Sequence, residues 1–164
     1  MSHKIFVGIG SNINKRENIR SCIKIIQKEF EALNISPVYE TQAMGFKGPN
    51  FYNCVCSFTT TKDIYDLKYY LNTIELNHGR DLNETKFSSR TLDIDILYFD
   101  DLILNDEKVQ IPRKEILKFD FVLLPLNDLS PEFIHPELGK KHKVIVKDNN
   151  FERLILKKIH FDFK

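Results

Sequence analysis

Residues 51–79, FYNCVCSFTTTKDIYDLKYYLNTIELNHG, hold the reading that decides the fold. Phe51 to Thr60 reads as a strand, and Asp63 then opens a helix. Ile64, Leu67, Leu71 and Ile74 form its apolar stripe at helical spacing, and Gly79 is a natural C-terminal cap. Downstream, Arg80 to Ser89 is polar and without periodicity, which predicts a mobile loop, and Thr91 to Phe99 is a further strand. Upstream, Gln42 to Asn50 is a loop by its Gly45, Gly48 and Pro49. Ile35 to Glu40 is a strand, with Pro37 marking an edge or an irregular start. Ile19, Ile23, Ile26, Phe30 and Leu33 recur at spacings of four and three, one stripe of a helix that begins at Asn14. Residues 4–9 are a buried strand that ends in Gly10-Ser11-Asn12.

The order is therefore βαββαβ, an α+β fold of the ferredoxin-like kind: an antiparallel sheet with two helices on one face. A hairpin over Leu102 to Ile111, turning near Asn105-Asp106, and short elements around Leu123 to Phe133 extend it. A last helix is expected around Ile155, which completes a C-terminal hairpin and helical extension. Without internal repeat, linker or low-complexity tract, residues 1–164 read as a single domain.

The bulk composition excludes several function classes. Twenty-four basic and 23 acidic residues leave a net charge of +1, which argues against a general electrostatic grip on nucleic acid or membrane. No apolar run approaches the roughly 18–20 residues of a membrane-spanning helix. Met1-Ser2-His3-Lys4 leads straight into a strand with no secretory segment, so a cytoplasmic location is expected. Three cysteines, Cys22, Cys54 and Cys56, are an odd number without a second zinc-like pair, and read as buried small hydrophobes.

Arg90-Thr91-Leu92-Asp93-Ile94-Asp95-Ile96 is the strongest chemical signal. On a strand, Asp93 and Asp95 share a face at a Cα spacing of about 6.5–7 Å, while Leu92, Ile94 and Ile96 face the core. Two such carboxylates can hold a hard cation on a polyphosphate; two exposed acids on a solvated strand are the competing reading. Arg90 and Arg80 favour the metal–polyphosphate site, because guanidinium groups pair with phosphate oxygens. Gly8-Ile9-Gly10-Ser11-Asn12 lacks the ending of a P-loop and the third glycine of a dinucleotide fingerprint, and reads as a tight turn. Glu75, at the edge of its helical stripe, would alone be read as solvated. Phe51, Tyr52 and Asn53 pair aromatics with an amide, which is what a flat heterocycle needs.

Over almost its whole length the chain resembles the 6-hydroxymethyl-7,8-dihydropterin pyrophosphokinase family. The resemblance rests on an ordered series: Gly10-Ser11-Asn12, Tyr39-Glu40-Thr41, Phe51-Tyr52-Asn53, Ile74-Glu75 with Gly79-Arg80, Arg90 through Ile96, Pro112, and Phe121 through Leu126. It implies pyrophosphoryl transfer from ATP to the pterin, releasing AMP, in folate biosynthesis. Asp93 and Asp95 then match the pair that binds two magnesium ions, and Phe51 and Phe121 the aromatics that sandwich the pterin. Thr41, Gln42, Met44, Gly45 and Asn53 fall at its edge. Asn72, Glu75, Lys86, Ile96, Lys108 and Arg113 fall where the family contacts ATP. Arg80 and Arg90 match loop arginines that assist transfer and close with their loop. The implied partners are small molecules, ATP and a reduced pterin, with fusion to or association with another folate-pathway enzyme.

The sequence departs from the family pattern at Leu82 and Phe119, where basic residues are common. It departs also at Phe87-Ser88-Ser89, in place of an aromatic–Gly–Pro stretch, and at Arg113, in place of a histidine. Two other classes compete. An RNA-binding module of the same βαββαβ order needs a basic–Gly–aromatic signature that Phe51-Tyr52-Asn53-Cys54-Val55 lacks. A ligand-binding regulatory domain leaves the two aspartates and two arginines unexplained.

Overall fold

The βαββαβ order is the frame of the computed structural model, which describes residues 1–80, 89–148 and 150–164. Its elements are β1 (His3–Ser11), α1 (Lys15–Glu29), β2 (Glu31–Ile35), β3 (Val38–Thr41), β4 (Phe51–Thr60), α2 (Ile64–Asn77) and β5 (Asp93–Phe99). β3, β4, β1 and β5 lie side by side, antiparallel throughout, and β2 pairs β4 beyond β3.

The strand expected over Ile35 to Glu40 is two strands, β2 and β3. Pro37 has no N–H for the ladder, and Ser36 spans the break. Its N–H donates to the Val55 carbonyl (2.8 Å) and its hydroxyl oxygen accepts the Val55 N–H (2.9 Å). The first helix is shorter than its apolar stripe. Phe30 turns into extended backbone and stacks on Phe58 of β4 at 4.3 Å, so Leu33 falls in β2. α2 follows expectation closely. Asp63 caps it by accepting the Asp66 N–H (2.9 Å), its four stripe residues are buried, and Gly79 (φ +86°) takes the left-handed turn beyond its end.

Past β5 come the hairpin β6 (Leu104–Asn105) and β7 (Gln110–Ile111), turned by Asp106, whose carboxylate accepts the N–H groups of Lys108 and Val109. A 3-10 turn at Lys114–Leu117, α3 (Asp120–Leu129), the hairpin β8 (Ile134–His135) and β9 (Lys140–Lys141), and α4 (His142–Asp148) follow. The helix expected around Ile155 is instead a strand, β10 (Ile155–Ile159), antiparallel to β3. β3 would otherwise end the sheet with unpaired N–H and C=O groups, and that tertiary demand overrides a short segment's local preference.

Both faces of the sheet are buried. Ile5, Val7, Ile9, Cys54, Cys56 and Ile94 pack against α1 and α2, while Phe6, Val55, Leu97 and Tyr98 pack against α3 and α4. The register of β5 slips where Val7 pairs Ile96 and Phe6 pairs Tyr98, so Leu97 is an extra residue. That bulge turns Leu97 and Tyr98 both towards α3 and returns Phe99 to the opposite core. Cys22, Cys54 and Cys56 are free, buried thiols, as expected; burial pushes Cys54 up to about 12.

Candidate active site

The floor of the site is made by β1. Gly8 and Gly10 lie inside the strand, not in the turn expected there, and the chain turns only after Ser11. Across the sheet Asp95, Gly8 and Val55 are in register, and so are Asp93, Gly10 and Asn53. With no side chains on Gly8 and Gly10, the α3 side of the sheet is hollow between β4 and β5. A Cβ on Gly10 would lie 2.6 Å from Asn53 Oδ1, so Asn53 can hold this position only because residue 10 is glycine.

One cavity lies over this floor and meets a second at Asp93 and Asp95. The first, about 300 Å³, is lined by Thr41, Gln42, Met44, Phe51, Asn53 and Phe121 from the set predicted for a pterin. Gly45 is not among its described lining residues; it bends the loop just beyond Met44 with φ +75°. The second, about 520 Å³, is lined by Asn72, Glu75, Ile96 and Lys108 from the set predicted for ATP. Asp93, Asp95, Arg80 and Arg113 line both cavities, and Arg90 lines the first. Lys86, Leu82, Phe87 and the loop expected to close over the site lie outside the described residues.

Hydrogen bonds orient the first cavity's polar edge. Asn53 Nδ2 donates to Thr41 Oγ1 at 2.8 Å, and Thr41 is buried. Asn12, also buried, braces the rim: its Nδ2 donates to the Pro49 carbonyl (3.1 Å) and Ser89 Oγ (3.2 Å), and its Oδ1 accepts the Arg90 N–H (2.8 Å). The rings are held by other rings. Phe121 stacks on Phe119 (5.3 Å, 13°), and Phe51 meets Phe46 edge to face (6.3 Å, 90°).

Asp93 and Asp95 project together, as the two-residue strand period dictates, and each faces an arginine. Arg80 Nη1 donates to Asp93 Oδ1 (2.8 Å) and to Glu75 Oε2 (2.6 Å), and Arg113 Nη2 lies 3.6 Å from Asp95 Oδ1. Glu75 is not solvated. It is 5% exposed, and its Oε2 also accepts the Ile94 N–H at 3.0 Å, tying α2 to β5. Burial, then the Asp93 charge, hold Glu75 well above the usual carboxylate range; the same two causes raise Asp95, with Arg113 opposing. This edge of the site is therefore short of positive charge despite its arginines. That donor set fits a hard divalent cation with oxygen ligands. Among the described residues no three His, Cys, Asp or Glu side chains converge to hold an ion alone, so a cation here would complete its shell with water or phosphate oxygens.

Residues 6–131 match the model of the family described as 7,8-dihydro-6-hydroxymethylpterin-pyrophosphokinase (HPPK). The chain belongs to this family. The HPPK chain is 31% identical over 150 residues to the 2-amino-4-hydroxy-6-hydroxymethyldihydropteridine pyrophosphokinase of Aquifex aeolicus, covering 90% of this chain and 93% of the relative. It is 35% identical over 136 residues to the folic acid synthesis protein FOL1 of Dictyostelium discoideum, with 82% of this chain matched but only 20% of that longer protein. Its fold matches the Plasmodium falciparum HPPK-DHPS crystal structure with pteroate at a TM-score of 0.73 and 14% identity, over 90% of this chain and 42% of that one.

Several lining residues escaped the sequence reading. Phe46 carried a signal, an aromatic inside a glycine-containing loop. Gly8 and Gly10, read only as part of a tight turn, carried another: two residues apart, they share one strand face. Glu115, 3.2 Å from Arg113 Nε, carried none, and Phe119 was read only as a departure from a basic position, not as a lining ring. Arg113 itself is no exposed turn residue; its side chain is half-buried against Asp95.

Proposed function

We propose that this HPPK chain, as one unit over residues 1–164, transfers the pyrophosphoryl group of ATP to the hydroxymethyl group of 6-hydroxymethyl-7,8-dihydropterin and releases AMP. The observation that supports this reading most directly is the meeting of two unlike cavities at Asp93 and Asp95. The ring-walled cavity suits the pterin, with Phe51 and Phe121 on its faces and Asn53 and Thr41 at its edge. The polar cavity suits ATP, with Asn72, Glu75, Ile96 and Lys108 along it. The pterin's hydroxymethyl oxygen attacks the β-phosphorus in line and gives up its proton to solvent, the bond from that phosphorus to the α–β bridging oxygen breaks, and AMP leaves.

The protein's part is positioning and charge neutralisation. Asp93 and Asp95 would hold the magnesium ions, two in this reading, and such ions would supply charge neutralisation for the triphosphate. Arg80 and Arg113, each paired with a carboxylate at the meeting of the cavities, also reach the phosphate oxygens, and Arg90 approaches the same oxygens from the rim. In that reading Phe119, where the family often has a base, serves as the apolar backing of Phe121. The cellular setting proposed is the cytoplasm. FOL1 and HPPK-DHPS are longer chains, and association or fusion with another folate-pathway enzyme is part of the same proposal.

An assay of AMP release tests it. AMP is expected from ATP only when magnesium and 6-hydroxymethyl-7,8-dihydropterin are both present. AMP formed without the pterin would sink the assigned acceptor.

A further inference from the structure

We infer that Asp120 is a positioning residue for the ring-binding cavity, and that it acts through the chain segment leading into β10. The inference rests on the reading of that cavity as the pterin site.

Asp120 is the first residue of α3, is 3% exposed, and stands next to Phe121, one of the cavity's two ring walls. Its Oδ1 accepts the Leu154 N–H at 2.9 Å, and its Oδ2 accepts the N–H groups of Leu154 and Ile155, both at 3.0 Å. The same segment is bonded to the backbone beside it. Asp120 N–H donates to the Glu152 carbonyl (3.0 Å), and Glu152 N–H donates to the Lys118 carbonyl (2.8 Å). On its other side, the Leu154 carbonyl accepts the Gln42 N–H at 3.0 Å, and Ile155 pairs with Thr41.

Residues 152–155 therefore form a strap with the cavity's two walls bonded to its two sides. One side holds the backbone that carries Phe121. The other holds Thr41 and Gln42, the polar edge opposite. At the far end of α3, Asp128 accepts the Tyr39 hydroxyl of β3 and lies 3.8 Å from Lys158 Nζ of β10. α3 is thus tethered at both ends, and at the end that bears the ring the Asp120 side chain adds its bonds to those between the Lys118–Asp120 and Glu152 backbones.

The chemistry explains why a carboxyl group stands there. Two successive backbone N–H groups converge on one side chain: Oδ2 accepts both, and Oδ1 shares the Leu154 N–H, so both carboxylate oxygens act as acceptors. An amide in the same place would turn an NH₂ group towards the Leu154 N–H and lose one of the bonds. The strap lies past residue 131, where the match to the family model ends. The tail of this chain is, on this view, part of its pterin site.

The test uses the full chain with Asp120→Ala, Asp120→Asn and, as control, Phe51→Ala. Binding of 6-hydroxymethyl-7,8-dihydropterin is measured without ATP, and binding of a non-hydrolysable ATP analogue with magnesium. Steady-state KM values for both substrates complete the set. For Asp120→Ala, pterin affinity should fall about tenfold, roughly 1.4 kcal/mol, with ATP-analogue affinity nearly unchanged and Asp120→Asn in between. The Leu154 and Ile155 amides should exchange hydrogen faster in both variants. If Asp120→Ala unfolds, the comparison rests on Asp120→Asn, with the same selective loss expected. Wild-type pterin affinity in Asp120→Asn alongside faster exchange at Leu154, or equal losses for pterin and ATP analogue, would overturn the proposal. Failure of the pterin reading is separate: then the wild-type chain binds no pterin, or Phe51→Ala leaves its binding intact.

Discussion

At the scale of single residues, Asp95 shows a conflict between stability and the proposed chemistry. Its carboxyl is raised by burial and by the Asp93 charge. A group whose folded-state value is raised binds its proton more tightly when folded, so ionising it disfavours the fold as pH rises through that value. Asp95→Asn should therefore stabilise the ligand-free protein at pH 8. The side chain is 39% exposed, and solvent screening keeps the gain below about 1 kcal/mol, a melting rise of at most roughly 2–4 °C. The same change should abolish turnover by orders of magnitude, since a hard cation needs the charge. Thermal melts at pH 6 and pH 8, beside the AMP assay, check both; a variant that melts lower and turns over normally contradicts the metal role. Arg113 is the second test. Arginine stays charged through neutral pH, where histidine does not. Arg113→Ala should weaken ATP-analogue binding, and Arg113→His should bind better at pH 6 than at pH 8. Titrations at the two pH values read the difference, and wild-type affinity in Arg113→Ala would remove the contact.

At the scale of elements, β1 and α3 divide the work. β1 is buried on one face by Ile5, Val7 and Ile9, and at Gly8 and Gly10 it leaves its other face bare. Gly10→Ala would push a methyl group onto Asn53 Oδ1, the end of a side chain rather than backbone. The fold should survive with a modest loss of stability, while Asn53 is displaced and the pterin KM rises with little change in the ATP KM. An unchanged pterin KM would show that Asn53 does not read the ring edge. α3 brings Phe121 over the hollow. Phe51→Ala and Phe121→Ala should each cost about 1 kcal/mol or more of pterin binding through lost stacking, and much less of ATP binding. Equal losses for both ligands would mark these rings as core. Calorimetric titrations of the two ligands separate the outcomes.

At the scale of the whole molecule, the layer beneath α3 and α4 carries a buried polar cluster away from the site. His142 is fully buried; its Nδ1 donates to the Ser130 carbonyl (2.8 Å), which leaves Nε2 to accept the Tyr98 hydroxyl (3.0 Å). That arrangement holds a neutral ring, and burial lowers its value to about 4. The unfolded chain takes up the proton first, so stability is full above about pH 6.5 and falls as pH drops towards 4. The loss from this one group is on the order of 3 kcal/mol. Urea unfolding at pH 7.5, 6 and 4.5 should show it, and His142→Gln should flatten the slope. An equally steep slope in that variant would assign the acid sensitivity elsewhere.

Local pattern was enough for much of this protein. The strand Phe51–Thr60, the helix capped by Asp63 and the paired projection of Asp93 and Asp95 follow from periods of two and 3.6 residues and from short-range capping bonds. Those terms involve neighbours in the chain, so the sequence alone determined them. Other features depended on partners far away in the chain. Ile155–Ile159 is a strand because β3 offers an unpaired edge, about 115 residues earlier by number. Gly8 and Gly10 stay extended because β4 and β5 pair on both sides of them, and only that pairing turns two glycines into the floor of a cavity. Glu75 is buried because β5 lays the Ile94 N–H against it. Arg113 and Phe119 enter the site through a turn whose position the sheet dictates. Burial and cross-strand register are long-range quantities, and for these residues only the tertiary structure decided the outcome.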